Sequence, residues 1–246
     1  MVLENFQEPL NIITLLLAAI TAIVGYRAVH LFWKQKDKLQ LSKTTLAVFT
    51  FLAVGYILFG LGELSWYLIY GFVQKLPLAS VPDMYWILGT LALLIGFVLF
   101  SLSMYKEHGG IGHGLLLMFI AGAVAAGLLY FVLSKGIIKP GESGFAAFLG
   151  FYYPIISALI LLASLNVYLF FEKVHNSMAP SLLLFMLANG TTFFGDLLFI
   201  YYSSQGGYGL VGITSDLLYI CAYAFLVIAF WLAGKRVAGE TSAQIQ

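Results

Sequence analysis

Charge is what this chain has least of. Only 9% of its 246 residues are Asp, Glu, Lys or Arg, against roughly 25% in a soluble domain, and this excludes a water-soluble globular protein. Cysteine occurs once, at Cys221. That excludes an internal disulfide, and the expected place of the thiol is as a small buried apolar group in the last apolar run. His30, His108, His113 and His175 do not pair at metal-ligand spacing within any apolar run, so no zinc site, structural or hydrolytic, is expected. The net charge of +1 offers no electrostatic footprint for nucleic acid. The glycine cluster at 109–114 lacks the following Lys-Ser/Thr of a phosphate loop and reads as a turn.

Apolar residues fill the space that charge leaves. They make up 61% of the chain, and the mean hydropathy is +0.96. A helical crossing of a bilayer takes about 20 mostly apolar residues. Seven stretches qualify, approximately 9–33, 44–71, 83–105, 113–134, 146–171, 179–203 and 209–233. All are predicted helices, because backbone facing lipid must satisfy its own hydrogen bonds. A β-barrel would show short alternating segments instead. The expected fold is one all-α integral membrane domain over 1–246, ending in a short polar tail at 235–246. The leader MVLENFQE is acidic and the first run is long, so the first stretch reads as a span and not as a cleaved signal peptide.

Orientation follows from the basic residues. Arg27, Lys34, Lys36, Lys38, Lys43, Lys106, Lys173, Lys235 and Arg236 fall on one side of this topology, and only Lys75, Lys135 and Lys139 on the other. Cytoplasmic loops carry the lysine and arginine excess. The N-terminus is therefore expected outside a plasma membrane and the C-terminus in the cytoplasm. Arg27, near its helix end, is expected to snorkel.

Carboxylates are costly in such a chain, yet they recur at fixed spacing. Glu63 and Asp83 are twenty positions apart, and so are Asp196 and Asp216. Residues 62–100 lie over 195–233 without a gap at a shift of 133, matching Gly62 with Gly195, Leu64 with Leu197, Phe97 with Phe230 and Leu99 with Leu232. Spans two and three thus correspond to six and seven. The expected architecture is two parallel three-helix repeats, spans 1–3 and 5–7, joined by span 4. Gly122 and Ala126 supply small residues for close packing of that linker span.

In this topology all four acids gather toward the outer side. Helical periodicity puts Tyr56, Phe59, Trp66, Tyr67 and Tyr70 on the face of Glu63, and Asn189, Thr192 and Phe199 on that of Asp196. Asp83 lines up with Trp86 and Thr90, and Asp216 with Tyr219 and Tyr223. The candidate site is an outward acidic and aromatic cup of Glu63, Asp196, Asp83, Asp216, Asn189, Trp66, Trp86 and Tyr219, with no catalytic group, metal or cofactor. Simpler roles stand beside this one. Asp83 and Asp216 could be N-caps, and Trp66, Tyr67, Tyr70, Tyr85 and Trp86 an interfacial belt. Glu63 and Asp196, two turns inside their spans, could serve as structural polar contacts or as a functional site. Asn189 and Asn166 could bond across helices.

Known seven-span chemistries lack their residues here. No lysine lies between Lys173 and Lys235, so a retinal Schiff base of the microbial rhodopsin type is excluded. Asp196 in TTFFGD would need a second intramembrane aspartate to act as a protease, and its counterpart is a glutamate.

The segments GLGELSWYLIYGFVQKLPLASVPDMYWILGTLALLIGFVLF and GDLLFIYYSSQGGYGLVGITSDLLYICAYAFLVIAFWLA share one pattern. An acid late in one span is followed by a short outer loop, and aspartate opens the next span. This resembles the multi-span membrane sensor regions that precede GGDEF and EAL domains in bacterial signalling proteins. The resemblance implies a sensory module that binds a small or lipidic ligand. No output domain follows within these residues, so it implies signalling through a separate cytoplasmic partner. Membrane lipids are the other expected partner, and nucleic acid is not. The 3+1+3 plan is also similar to that of SWEET-type sugar transporters, whose proline-containing motifs are not apparent. The competing reading is a secondary transporter or cation-coupled carrier with Glu63 and Asp196 as its coupling site. Polar residues are sparse in the cytoplasmic half, which favours the sensor.

Overall fold

Apolar runs of this length leave the backbone no partner but itself, and they are helical. The computed structural model describes residues 6–37, 42–70, 80–108, 120, 122, 124, 127–128, 144–173, 177–205 and 208–243. Among these residues, six helices are long and apolar enough to cross a membrane. They are α1 (Gln7–Gln35), α2 (Lys43–Tyr70), α3 (Val81–His108), α4 (Gly144–Lys173), α5 (Ala179–Gln205) and α6 (Gly209–Ala243). The expected linker span at 113–134, Ala126 included, lies mostly outside the described residues. Of it, Ile120, Gly122, Val124, Gly127 and Leu128 are helical. Gly122 faces Leu162 of α4, and Leu128 packs beside Ala158, Phe193 and Leu197.

Two expectations need correction. The polar stretch expected as a tail from 235 is helical as far as Ala243, because α6 continues through Lys235 and Arg236. Cys221 is exposed, not buried. Its neighbours Tyr219, Ala222, Tyr223 and Leu226 line the bundle interior, and at 3.6 residues per turn position 221 falls on the opposite face.

The six helices close into a ring. α1 packs on α2, α2 on α3, α3 on α4, α4 on α5, α5 on α6, and α6 returns to α1. Small residues allow the close approaches. A Cβ at Gly55 would lie 3.0 Å from the Gly89 carbonyl oxygen, and one at Gly89 would lie 3.0 Å from that of Gly55. Buried hydroxyls bridge helices: Ser181 Oγ donates to the Ala229 carbonyl at 2.7 Å, and Ser215 Oγ to that of Gly195 at 2.9 Å. Such bonds hold helices together where lipid offers no hydrophobic drive for association.

The middle of the ring is filled by rings of another kind. Leu52, Phe97, Phe185 and Phe230 are fully buried. Phe185 and Phe230 meet edge-to-face with centroids 4.8 Å apart, and Phe97 meets Phe185 at 6.4 Å. Both arrangements suit the aromatic quadrupole. The set is closed under the sequence shift, because 52 and 185, like 97 and 230, are 133 apart. The apolar filling continues toward the basic end through Phe49, Phe100, Met104, Leu182, Ala233 and Val237, all buried.

Candidate functional site

On the other side of this aromatic layer the ring is hollow. A cavity of about 160 Å³ takes its walls from all six helices. Its lining comes mainly from the first half of α1, α3, α4 and α6 and the second half of α2 and α5, with Tyr56, Ile160 and Asn189 near the helix middles. The hollow therefore sits at the end of the bundle where α1 begins. Leu93, Ile160 and Leu226 close its floor, one turn above Phe97 and Phe230 in their helices.

All eight residues singled out in the sequence line this one cavity: Glu63, Asp83, Asp196, Asp216, Asn189, Trp66, Trp86 and Tyr219. Tyr56, Phe59, Thr90, Thr192, Phe199 and Tyr223 join them. Tyr67 is not among the lining residues, and the side chain of Tyr70 lies outside the described set. Among the described residues the lining contains no lysine, arginine or histidine.

Each of the four carboxylates accepts a tyrosine hydroxyl. Tyr223 donates to Glu63 at 3.0 Å, Tyr219 to Asp196 at 2.7 Å, Tyr153 to Asp83 at 2.6 Å, and Tyr208 to Asp216. Ser157 adds a second donor to Asp196. Helical periodicity assigns Tyr219 and Tyr223 to the face of Asp216, which lies one and two turns below them respectively. Instead Tyr219 serves an acid on the neighbouring α5 and Tyr223 one on α2, across the ring, because side chains on the inner face reach over the hollow. Tyr208, just ahead of α6, keeps its proton as the donor: burial first, then its hydrogen bond to Asp216, hold its hydroxyl above the ordinary phenol range.

The capping reading is corrected in detail. Asp216 lies seven positions inside α6 and caps nothing. Asp83 does act at a helix start, but from the third position. Ser80 precedes α3, and Asp83 Oδ2 accepts its backbone N–H at 2.6 Å and its hydroxyl at 2.7 Å. This is the carboxylate half of a capping box, with aspartate in the usual place of glutamate, while the Asp83 N–H donates to the Ser80 carbonyl at 3.2 Å. Oδ1 of the same carboxylate holds Tyr153 of α4, so one buried side chain ties the start of α3 to its neighbour. Asp83→Ala is expected to cost about 1–3 kcal/mol, from a lost cap and an orphaned hydroxyl. Thermal unfolding in detergent reads the loss, and an unchanged Tm would remove the structural role.

Asn189 and Tyr56 meet at the deepest polar point. They are 133 positions apart, and the Tyr56 hydroxyl donates to Asn189 Oδ1 at 3.1 Å. Asn189 is only 5% exposed, and its Nδ2 has no hydrogen-bond partner among the described residues. Above it, Trp66 and Trp86 lie 5.7 Å apart by centroid. Gly62 makes this possible, since a Cβ there would stand 2.3 Å from Trp86 Nε1. At the matching position, a Cβ on Gly195 would stand 3.0 Å from the ring of Tyr219.

Two walls were not foreseen. Gln7, Asn11 and Thr14 bring the first turns of α1 to the cavity. Their 4- and 3-residue spacing is a helical polar stripe, legible in a span read only as an anchor. α4 contributes Gly150, Tyr153 and Ser157. Pro154 sits inside α4 and has no N–H, so the Gly150 carbonyl lacks its helical donor.

Comparison with protein-family models, curated proteins and solved structures finds no match to this chain.

Proposed function

We propose that this membrane protein is a receptor-like sensor. It binds a small or lipidic ligand in the acidic and aromatic cavity and relays occupancy to a protein at the opposite, cytoplasmic face. The observation that carries this reading is the one-sidedness of the hollow. Polar walls occupy one end of the ring, and the other end is packed with Phe49, Phe97, Phe100, Phe185 and Phe230. A carrier needs polar access from both sides of its site.

The basic residues Lys34, Lys36, Lys43, Lys173, Lys235 and Arg236 lie at the packed end of their helices, and lysine and arginine mark the cytoplasmic side. The cavity then opens outward and the N-terminus lies outside. The architecture behind it is two three-helix repeats in a seven-span chain, α1–α3 and α4–α6, related by an axis along the membrane normal. The twofold pattern of helix neighbours supports this. So do the Tyr56–Asn189 contact between positions 133 apart and the paired packing of Gly62 on Trp86 and Gly195 on Tyr219. A ligand touching both repeats can shift their relative packing, provided that it binds the two arrangements with different affinity. The pattern in the two acid-bearing segments, similar to sensor regions of bacterial signalling proteins, points the same way.

The carrier reading keeps one favourable observation, that acids from both proposed halves face a shared cavity. One experiment separates the two. In a Cys221→Ser background, Ala222→Cys places a thiol on the cavity wall. In oriented vesicles a membrane-impermeant maleimide is expected to react from the outside only. Labelling from both faces would favour alternating access and the carrier, and labelling from the cytoplasmic face alone would reverse the topology.

A further inference from the structure

One wall of the hollow is joined less firmly than the rest. Of the six helix junctions in the ring, that of α3 with α4 is the most sparsely packed. The junction of α6 with α1 closes backbone to backbone: a Cβ on Gly234 would stand 3.6 Å from Ala28 Cα, and Thr21 Oγ1 donates to the Tyr223 carbonyl at 3.3 Å. The glycines of α3 turn toward α2, with Gly89 against Phe59 and Gly96 against Leu52. Side chains bridge α3 to α4 instead. Tyr153 donates to Asp83 at 2.6 Å, and the Tyr152 hydroxyl lies 2.7 Å from Thr90 Oγ1. Tyr152 and Tyr153 are adjacent on α4, whereas Asp83 and Thr90 are about 10 Å apart along α3. The two phenols therefore splay, and frame the seam from above and below.

Aromatic rings lead from lipid to this seam. Phe145 and Phe148 are about half exposed on the outside of α4, where a membrane protein meets acyl chains. They stack at 6.1 Å, Phe148 meets Tyr152 at 5.4 Å, and Tyr152 meets Tyr153 at 5.5 Å. Tyr153 and Thr90 line the cavity. An apolar path thus ends in a polar hollow.

The hollow fits a head and not a tail. Its volume, about 160 Å³, is close to the roughly 150 Å³ of a cavity that accepts benzene. A glycerol group, with as many heavy atoms as benzene, matches it, and a long acyl chain does not. The walls already pair carboxylates with hydroxyls, Glu63 with Tyr223 and Asp196 with Tyr219 and Ser157. A carboxylate has about four lone-pair sites, so these acids can accept further hydroxyl donors from an occupant.

We infer that the occupant is a single-chain lipid with a hydroxyl-bearing head, which enters sideways from the outer leaflet: the head sits among Glu63, Asp196 and Asp216, and the chain leaves between α3 and α4 along Tyr152 and Phe148. The inference rests on the reading of the cavity as a ligand site and names the ligand class and its route.

The probe is a monoacylglycerol dibrominated near its glycerol end, added to the full chain in phosphatidylcholine nanodiscs. Trp33→Phe with Trp231→Phe leaves Trp66 and Trp86 as the tryptophans that bromine can quench. Saturable quenching, displaced by unbrominated monoacylglycerol, is the expected result. The matching brominated methyl ester carries the chain and no hydroxyl, and equal saturable quenching by it would overturn the head assignment. Glu63→Gln is expected to weaken the monoacylglycerol by roughly 10-fold, with the unliganded Tm showing that the variant folds, and unchanged affinity would overturn the placement of the head. Stopped-flow quenching reads the route. Tyr152→Phe removes one bridge and leaves Thr90 bonded to the Ile87 carbonyl, and is expected to speed quenching about 5-fold. Thr21→Val removes a bond at the α6–α1 junction and is expected to leave the rate unchanged. No acceleration in Tyr152→Phe, or the same in both variants, would overturn the seam as the route. Acrylamide, a water-soluble quencher, separates the inference from the reading beneath it. Quenching of Trp66 and Trp86 by acrylamide, with no saturable effect of the lipid, would overturn the lipid and keep an outward ligand site. Quenching by neither would overturn both.

Discussion

Phe230→Ala is expected to destabilise the folded bundle by about 2–3 kcal/mol. Phe230 is completely buried in α6, edge-on to Phe185 at 4.8 Å and in contact with Tyr56 at 5.8 Å. In a soluble core the same truncation costs roughly 3–5 kcal/mol, the sum of lost transfer energy and a residual cavity. Within a bilayer the transfer part is small, because lipid tails are as apolar as the protein interior. The cavity part survives: about 24 cal/mol per Å³ over roughly 100 Å³ of removed ring gives the expected value. The ring also props up the polar floor, since Tyr56 rests on it and holds Asn189. Ile228→Ala, on the same helix but 45% exposed toward lipid, is the control and is expected to be nearly neutral. Reversible unfolding in mixed micelles measures both. Equal effects at 228 and 230 would mean that the aromatic layer is not the packed centre of the protein.

Gly62→Ala is expected to cost about 1–3 kcal/mol and to move both cavity tryptophans. The added methyl would sit 2.3 Å from Trp86 Nε1 and 2.5 Å from Trp86 Cδ1, far inside contact distance. Trp86 cannot yield freely, because Trp66 lies against it at 5.7 Å. A shift and broadening of tryptophan emission should accompany the drop in Tm. Gly195→Ala at the matching position meets the Tyr219 ring at 3.0 Å, so a few tenths of an ångström of movement suffices and the smaller loss is expected there. That movement would be felt at Asp196, which Tyr219 holds at 2.7 Å. An unchanged emission spectrum in Gly62→Ala would show that the indole pair is not packed as described.

The composition and the run lengths were enough to establish a helical membrane protein. Without water to satisfy it, an apolar backbone has few structural options. They were enough, too, to single out the acids. A carboxylate in such surroundings is costly wherever it lies, so Glu63, Asp83, Asp196 and Asp216 stood out before any contact was known. Partnership was not legible. Glu63 meets Tyr223 across 160 positions, and Asp83 meets Tyr153 across 70. Periodicity orders the residues of one helix and is silent about the rotation of its neighbour. For the same reason Cys221 could be assigned to α6 and not to its outer face, and Pro154 could not be linked to a cavity wall.

Sequence alone therefore determined which groups had to avoid lipid, because the energy of an acid or a polar backbone in hydrocarbon is a property of the group itself. Only the tertiary structure decided where they met: in one hollow, each acid held by a tyrosine, above a floor of aromatic rings. That outcome depends on how six helices rotate and interlock, and ring closure between α1 and α6 is a contact between the two ends of the chain. The packing of distant side chains makes that choice, and no local pattern encodes it.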